Sequence, residues 1–480
     1  MKQKKIWSAI NKIDDILISE AEKYEFPENR LPHGWKIAAV AACLVLSIVA
    51  TAVFWPKGNP YLGNLYIDAF SISAAEYPEA PKYPIEEDYA TDEEYIEAYE
   101  LWAEFKRERN SAYSADYSSL QNFTSKTTAQ FLGGRQDENP VYSPISLYLA
   151  LGMLAEITDK SSQDQILSLL GETDLQNLRQ TAKAIWNRNY INDGSAKTIL
   201  ASSLWLNKDI NFNRTPINSL SKNYYSDVFS GNMADPEYSS SFQWWLNQQT
   251  EGMLKEQISG LWFDPQTILA LATTIYFEAK WADKFREDDT YEEAFHTATQ
   301  DIKCDFLHDT NMSAYYWGDK FTAAKRDFQN SGSITFILPD KGYSPDDLLE
   351  DAQVANLIAG NYENEKLALV NYAIPKFDIA STTQLIDGLK ELGIKDVFGL
   401  KADFSPLTDS PAFIGKAEQS ARVAIDENGC KAAAYTVMLS YGAGIPDDKA
   451  DLILNRPFLF VINGEDDAPL FIGIVNNPVE

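Results

Sequence analysis

Cysteine and histidine are the scarcest chemistry-bearing residues of this 480-residue chain, with three of each. Cys43, Cys304 and Cys430 are too few for a disulfide framework. With only His33, His296 and His308, the chain is poorly supplied for a histidine-rich metal centre, and a histidine-based triad would have to use one of them. Positive charge is also short: 41 Lys+Arg against 70 Asp+Glu leave a formal net charge of −29. Neutralising phosphates takes a basic surface, so a nucleic-acid partner is not expected. There is no Gly-rich phosphate loop, no H-E-x-x-H and no G-x-S-x-G elbow. Carboxylates are so numerous that none stands out as a glycosidase pair. His296 and His308 lie twelve apart without a ligand cluster and read as surface or structural residues. No metal and no cofactor is expected.

What is present is ample apolar material, 45% of the residues with 12% aromatic, enough for a large core. Its arrangement divides the chain. Residues 37–55 read IAAVAACLVLSIVATAVFW, without a charge. As a helix this run is about 28 Å long, close to a bilayer core. Lys2, Lys4, Lys5, Lys12, Lys23, Arg30 and Lys36 precede it and only Lys57 follows closely. The positive-inside rule then predicts a cytoplasmic stub over 1–36, a transmembrane helix over 37–55 and everything after it outside the cell membrane. A cleaved signal peptide, with Ala50-Thr51-Ala52 as its small-residue site and secretion as its outcome, is the competing reading. Val40-Ala41-Ala42-Cys43 loosely resembles a lipoprotein acceptor, but apolar residues continue for twelve positions beyond Cys43. In the stub, Ile6, Ile10, Ile13, Ile16 and Ile18 predict a short amphipathic helix.

Residues 56–112 are read as an acidic Tyr/Pro-rich spacer. From Glu76 to Glu100 there are ten acidic residues and one basic one, and Tyr77, Tyr83, Tyr89 and Tyr95 recur every six positions. Residues 113–480 are ordinary in composition and form one large domain. Ser146 to Glu156 predicts a helix buried on all sides. Thr273 to Trp281 and Ser333 to Leu338 predict strands. Thr382 to Leu392 predicts a helix stopped by Gly393. Phe458 to Ile462 and Leu470 to Val475 predict a hairpin. Helices come mostly first and strands late, so the fold class is α+β.

Residues 426–446 read DENGCKAAAYTVMLSYGAGIP, following a strand over 422–425. As an extended chain of period two, one face carries Cys430, Ala432, Ala434 and Thr436, all small. The other carries Lys431, Ala433, Tyr435 and Val437. The stretch can therefore enter a sheet as a strand with its small side facing a crowded interior. An Ala-rich helical linker is the alternative, since KAAA is a good helix former.

This segment resembles the hinge and reactive-centre loop of the serpin family, and other segments agree in order. They are Asn139 to Ser146, Leu271 to Trp281, Ile374-Pro375-Lys376-Phe377, Leu392-Gly393-Ile394, and Arg456-Pro457-Phe458 followed by Leu470 to Gly473 and Asn477-Pro478. The resemblance covers about 113–480 and leaves the anchor and spacer outside. It implies a serpin-like fold: helices around a large central β-sheet, further sheets and an exposed reactive-centre loop. It implies a monomeric inhibitor rather than an enzyme. A target serine protease attacks the loop as substrate, and the cut loop inserts into the sheet and traps the acyl-enzyme.

The hinge implied by the resemblance comprises Glu427, Gly429, Cys430, Ala432, Ala433, Ala434 and Thr436. Lys431 and Tyr435 depart from the family's usual acidic and small residues. A polar cluster gating sheet opening falls on Ser143, Ser146, Thr273 and Gln419, with Thr273 in place of the usual Asn and Gln419 in place of the usual His. Trp281 is the tryptophan at the top of the sheet. Counting through the hinge puts the reactive bond at Ala443-Gly444, within a loop that includes Ser440, Tyr441, Gly442, Ile445 and Pro446. Ala443 suits elastase-like proteases, and Tyr441 would suit chymotrypsin-like ones. No Arg or Lys lies between Val437 and Pro446, which disfavours trypsin-like targets. The whole is expected to be a bacterial serpin displayed outside the cell. The rival reading is a non-inhibitory serpin-fold binding or sensor protein, cleaved without trapping.

Overall fold

The computed structural model describes residues 67–78, 80–113, 117–430, 448–465 and 467–479. The chain divides into two units, Met1–Gly63 and Asn64–Glu480. The expected stub (1–36) and membrane helix (37–55) lie outside the described residues. Among the described residues no helix is long and apolar enough to cross a membrane.

The second unit is built on a buried helix and two large sheets. Helix α3 (Pro144–Glu156) starts where the Ser143 hydroxyl accepts from the Ser146 N–H and Pro144 fills the first turn. Twelve of its thirteen residues are buried, as its apolar sequence predicts. It packs on both sheets, and α2 (Ser118–Leu132), α4 (Lys160–Leu170), α5 (Leu175–Asn189) and α6 (Arg214–Tyr224) surround it. The first sheet runs β1 (Ser71–Ser73), β5 (Ser226–Gly231), β4 (Lys197–Asn207), β6 (Leu269–Lys280), β14 (Gly429–Cys430), β13 (Glu418–Ile425), β12 (Phe377–Gln384), with β3 (Ile191–Asn192) beside β4. The second runs β15 (Lys449–Ile453), β11 (Glu365–Pro375), β8 (Asp301–Trp317), β9 (Phe321–Asp327), β10 (Ser333–Pro339), β16 (Phe458–Asn463), β17 (Pro469–Val475), β2 (Val141–Tyr142), with β7 (Thr290–His296) beside β8.

The expected C-terminal hairpin is β16–β17, and every residue of both strands is buried. One face of the first sheet, including Phe277 and Ala279, joins the main core with α3. The other face lies under α7 (Pro236–Gln249), where Trp205, Phe229, Tyr238 and Trp245 form a second apolar cluster.

Two expectations are corrected. The helix predicted over Thr382 to Leu392 is shorter, Ile386–Glu391. Thr382, Thr383 and Gln384 instead end β12, paired with Ser420, Gln419 and Glu418 of β13. β12 alternates buried and exposed residue by residue, which satisfies a half-buried edge strand. Gly393, at φ 105°, follows the helix in the left-handed region its stop requires.

The spacer is also corrected for residues 67–112, which pack on the domain rather than extending from it. β1 pairs antiparallel with β5 and extends the first sheet by one strand. The Tyr77 ring stacks on Trp186 and Tyr190, at 5.4 Å from each. The Tyr83 N–H donates to the Asp193 carbonyl at 2.7 Å. Thr91 then caps α1 (Asp92–Ala112) by accepting from the Glu94 N–H. This helix is charged almost all round and buries a single side chain, Trp102. The Trp102 indole donates to Asp193 at 2.8 Å, and Lys106 pairs with Glu465. An acidic composition therefore coexists with docking through a few aromatic anchors. Replacing Trp102 with Ala removes the one buried side chain of α1 and should cost about 3 kcal/mol of docking. Hydrogen exchange should then rise over 92–112 while α3 stays protected; unchanged protection of 92–112 would contradict this account.

Candidate functional site

The site is the interval between β6 and β13 in the first sheet, called the slot. The two strands run in the same direction and, among the described residues, are joined only through Gly429 and Cys430 of β14, where the described residues stop. Cys430 pairs with Ala279 on one side and Ile425 on the other, and Gly429 pairs with Lys280. Below that level the two flanking strands have no common partner among the described residues. Their lower residues, Leu269 to Thr273 and Glu418 to Ser420, are only half-buried.

The top of the slot is held by the turn between β13 and β14. The Asp426 carboxylate accepts from the N–H groups of Asn428 at 2.7 Å and Gly429 at 3.3 Å. The Trp281 indole donates to the Asp426 carbonyl at 2.8 Å, and its backbone N–H donates to the Asn428 carbonyl at 3.0 Å. The indole stacks on Phe328 at 4.8 Å. Glu427 pairs with Lys376 at 3.0 Å. Burial pushes the Glu427 pKa up, but hydrogen bonds and the Lys376 charge outweigh it and hold the carboxyl below its ordinary value. Gly429 sits at φ 153°, and a Cβ there would lie 2.1 Å from the Ala279 carbonyl oxygen. Cys430 is buried in the main core.

The bottom is held by α3. The Gln419 carboxamide spans the backbone of one residue, accepting from the Ser143 N–H at 2.8 Å and donating to the Ser143 carbonyl at 3.0 Å. The Ser146 and Thr273 hydroxyls are 3.0 Å apart, and the Thr273 hydroxyl reaches the Ser146 carbonyl at 3.3 Å. Each flanking strand is thus bonded to the N-terminus of α3 and not to the other strand. All four side chains are neutral, so ordinary pH changes leave these hydrogen bonds intact.

The outer face is crossed by the segment after α7. Glu251 meets Lys197 of β4 at 2.5 Å and Tyr276 of β6 at 3.4 Å. Two residues on, the Met253 carbonyl accepts from Arg422 of β13 at 3.1 Å. Arg422 also grips Asp378 of β12 with two bonds of 2.7 Å.

The sequence reading missed Arg422 and a second arginine. Arg326 is almost fully buried, 3.9 Å over the Phe285 ring and 5.4 Å from the Trp281 ring. It donates to Asp309 at 2.8 Å and to the Asp283 carbonyl at 2.6 Å. A charge on an alternating strand reads as solvent-facing, and only the packed aromatics reveal otherwise. The two described histidines take structural places. His296 meets Asp301 at 2.7 Å, and His308 stacks on Tyr291 at 4.0 Å.

Of the residues named from sequence, Glu427, Gly429 and Cys430 are brought together at the top of the slot with Trp281. Ser143, Ser146, Thr273 and Gln419 converge at its bottom. Ala432, Ala433, Ala434, Thr436, Ser440, Tyr441, Gly442, Ala443, Gly444, Ile445 and Pro446 lie outside the described residues.

A buried helix bonded to two strands of a large sheet, with Gly429 and Cys430 entering between those strands, defines the class. The family model described as Serpin (serine protease inhibitor) matches residues 118–478, and the chain belongs to this family. Its members are protease inhibitors that target serine proteases, not enzymes. An alpha-1-antitrypsin-like protein of Tamias sibiricus is 28% identical over 359 residues, covering 71% of this chain and 84% of that one. The alpha-1-antiproteinase of Bos taurus is 28% identical over 376 residues, covering 75% and 88%. Among solved structures, the native state of the thermophilic serpin Tengpin superposes with a TM-score of 0.68 at 25% identity, over 76% of this chain and 95% of that one. The extension from 67 to 117 precedes the matched segment.

Gly429→Ala forces a side chain against the Ala279 carbonyl at a strained backbone angle, a cost of about 1–3 kcal/mol. The expected outcome is a hinge displaced from the slot, read as faster hydrogen exchange at Cys430 and a shifted Trp281 fluorescence maximum. A spectrum and exchange pattern like the parent's would count against the tight packing described.

Proposed function

We propose that this protein is a suicide-substrate inhibitor of an elastase-like serine protease. The observation that carries the reading is the register of β14. Continued down the slot, Ala432 falls between Phe277 and Val423, Ala434 between Ile275 and Ala421, and Thr436 between Thr273 and Gln419. The small residues then share the face of Cys430, which is the core face. The Thr436 hydroxyl arrives at the polar cluster, where neutral hydrogen-bonding groups can receive it. The slot along β6 ends at Leu269, which by the same register is the partner of Ser440.

Lys431, a departure from the family pattern, falls opposite Glu278 on the outer face. An opposite-charge cross-strand pair is favourable there. This supports insertion over the rival reading of a cleaved but non-trapping sensor.

In the proposed mechanism the protease serine attacks the Ala443 carbonyl and the Ala443–Gly444 bond breaks. The amine of Gly444 leaves with the proton supplied by the protease. The freed segment ahead of Ala443 then zips into the slot as a central strand, forming backbone pairs with both β6 and β13. It must pass beneath the Glu251–Met253 crossing and displace the α3 contacts of Thr273 and Gln419. The acyl-enzyme is carried along before water can deacylate it.

Mixing the chain with pancreatic elastase should give a covalent complex that survives denaturing electrophoresis, cut after Ala443. Thr436→Arg should still be cleaved but form at least about tenfold less complex, because an unpaired buried guanidinium costs several kcal/mol. Parent protein cleaved without complex would overturn inhibition. A cut after Tyr441 would move the target class to chymotrypsin-like proteases.

We also infer that residues 37–55 span a cell membrane with the serpin domain outside, on their apolar length and the lysines ahead of them. The full chain should then sediment with membranes and resist carbonate extraction, and added protease should remove the domain from intact cells. A soluble product starting near Ala52 would instead establish signal cleavage.

A further inference from the structure

Residues 250–258 cross the outer face of the slot, and the two sides of the crossing are held differently. The segment leaves α7 through Glu251 and Gly252, both in the left-handed region at φ 46° and 76°. The Gly252 N–H closes the helix on the Asn247 carbonyl at 2.9 Å. The chain continues through a short helix, Lys255–Ile258, and returns to β6 at Leu269. Leu254 and Ile258 are buried in the second apolar cluster. The sheet residues of that cluster, among them Ala201, Trp205, Phe229, Ala270 and Ala272, belong to β4, β5 and β6, and none belongs to β12 or β13. The segment is therefore rooted on the β6 side of the slot.

On the far side it is held at one point. Among the described residues, Arg422 is the one residue of β13 to which the segment is hydrogen-bonded, its Nη1 donating to the Met253 carbonyl at 3.1 Å. Asp378 orients the guanidinium for this by taking Nε and Nη2. The charge of Arg422 is favoured by that pair and also by Glu256 of the segment. Apolar packing on one side and one charge-assisted hydrogen bond on the other make a flap that is hinged and latched.

The latch and the loop meet at one level. In the register proposed for the inserted strand, position 433 falls between Tyr276 and Arg422, the two flanking residues that bond to the segment. The outer-face residues of that strand are Lys431, Ala433 and Tyr435. The smallest of the three comes under the crossing, with the larger ones on either side of it. Trapping adds a constraint of its own. A strand that carries the protease on Ala443 cannot be threaded beneath a closed crossing.

We propose that residues 250–258 are a flap that opens at the Arg422–Met253 bond to admit the cleaved loop and closes again over Ala433; this presupposes insertion of the loop into the slot. Arg422 acts through the flap and is a positioning residue. It sets how fast the slot opens and not whether the loop is cut.

A synthetic peptide of residues 431–443 offers the strand without protease or cleavage. Its annealing to the full chain is read as a rise in melting temperature and timed by native electrophoresis. Arg422→Gln should take up the peptide at least about tenfold faster than the parent, from the loss of one hydrogen bond to a charged group. A peptide carrying Ala433→Trp should anneal about tenfold more slowly than the unchanged peptide to the parent, because the flap closes on a bulky side chain. With Arg422→Gln the two peptides should anneal at the same rate. A general loosening of the domain would speed both peptides alike, so this coupling isolates the flap. Equal rates in parent and Arg422→Gln, or an Ala433→Trp penalty of the same size in both, would overturn the flap while leaving insertion intact. Failure of the unchanged peptide to anneal to either chain would overturn insertion itself, and the flap with it.

Discussion

The structure depends on two neighbouring strands that are each bonded to a helix instead of to each other. β6 reaches α3 through Thr273 and Ser146, and β13 reaches it through Gln419 and Ser143. The upper ends are held locally as well: the Asp426–Gly429 turn seats Gly429 and Cys430 between β13 and β6.

The two ends of the slot are built differently. At the top, aromatic and charged groups are layered: Trp281 on Phe328, Arg326 over Phe285, Glu427 against Lys376. In the proposed insertion these contacts set where the inserted strand begins and its register. At the bottom, four neutral groups share hydrogen bonds that can be exchanged for others of the same kind. A neutral network can be remade without moving a charge, so opening it carries no large desolvation penalty. Gln419 makes both of its bonds to backbone, which ties the gate to the position of α3 and not to pH.

The extension adds a constraint at the far edge of the same sheet. β1 pairs with β5, and the Asp227 carboxylate on β5 accepts from the Ala75 N–H of the extension and from Trp245 of α7. Burial raises the Asp227 pKa above its ordinary value. The sheet edge, the extension and the helix lying over the sheet therefore meet at one side chain. In the proposed insertion, movement of the strands would have to be accommodated there as well.

Much of this was written in local sequence. The all-apolar run of α3, the strand over 422–425 and the hairpin at the C-terminus each follow from side-chain character and turn chemistry, which act over a few residues. The small face of Cys430, Ala432, Ala434 and Thr436 is likewise a property of the sequence alone. Other features required the folded chain. Thr382 and Thr383 entered a strand because β13 offered them a partner. The acidic segment over 92–112 docked through Trp102 because Asp193 and Glu465 were in place to receive it. Arg326, Arg422 and Arg109 have the same local signature, a cation among mixed neighbours. One came to lie over aromatic rings, one to bind a carboxylate, and one to be covered with two of its nitrogens unpaired among the described residues. Periodicity decides which face of an element is apolar, but which charge is paired depends on residues distant in the chain, and only tertiary packing brings those together.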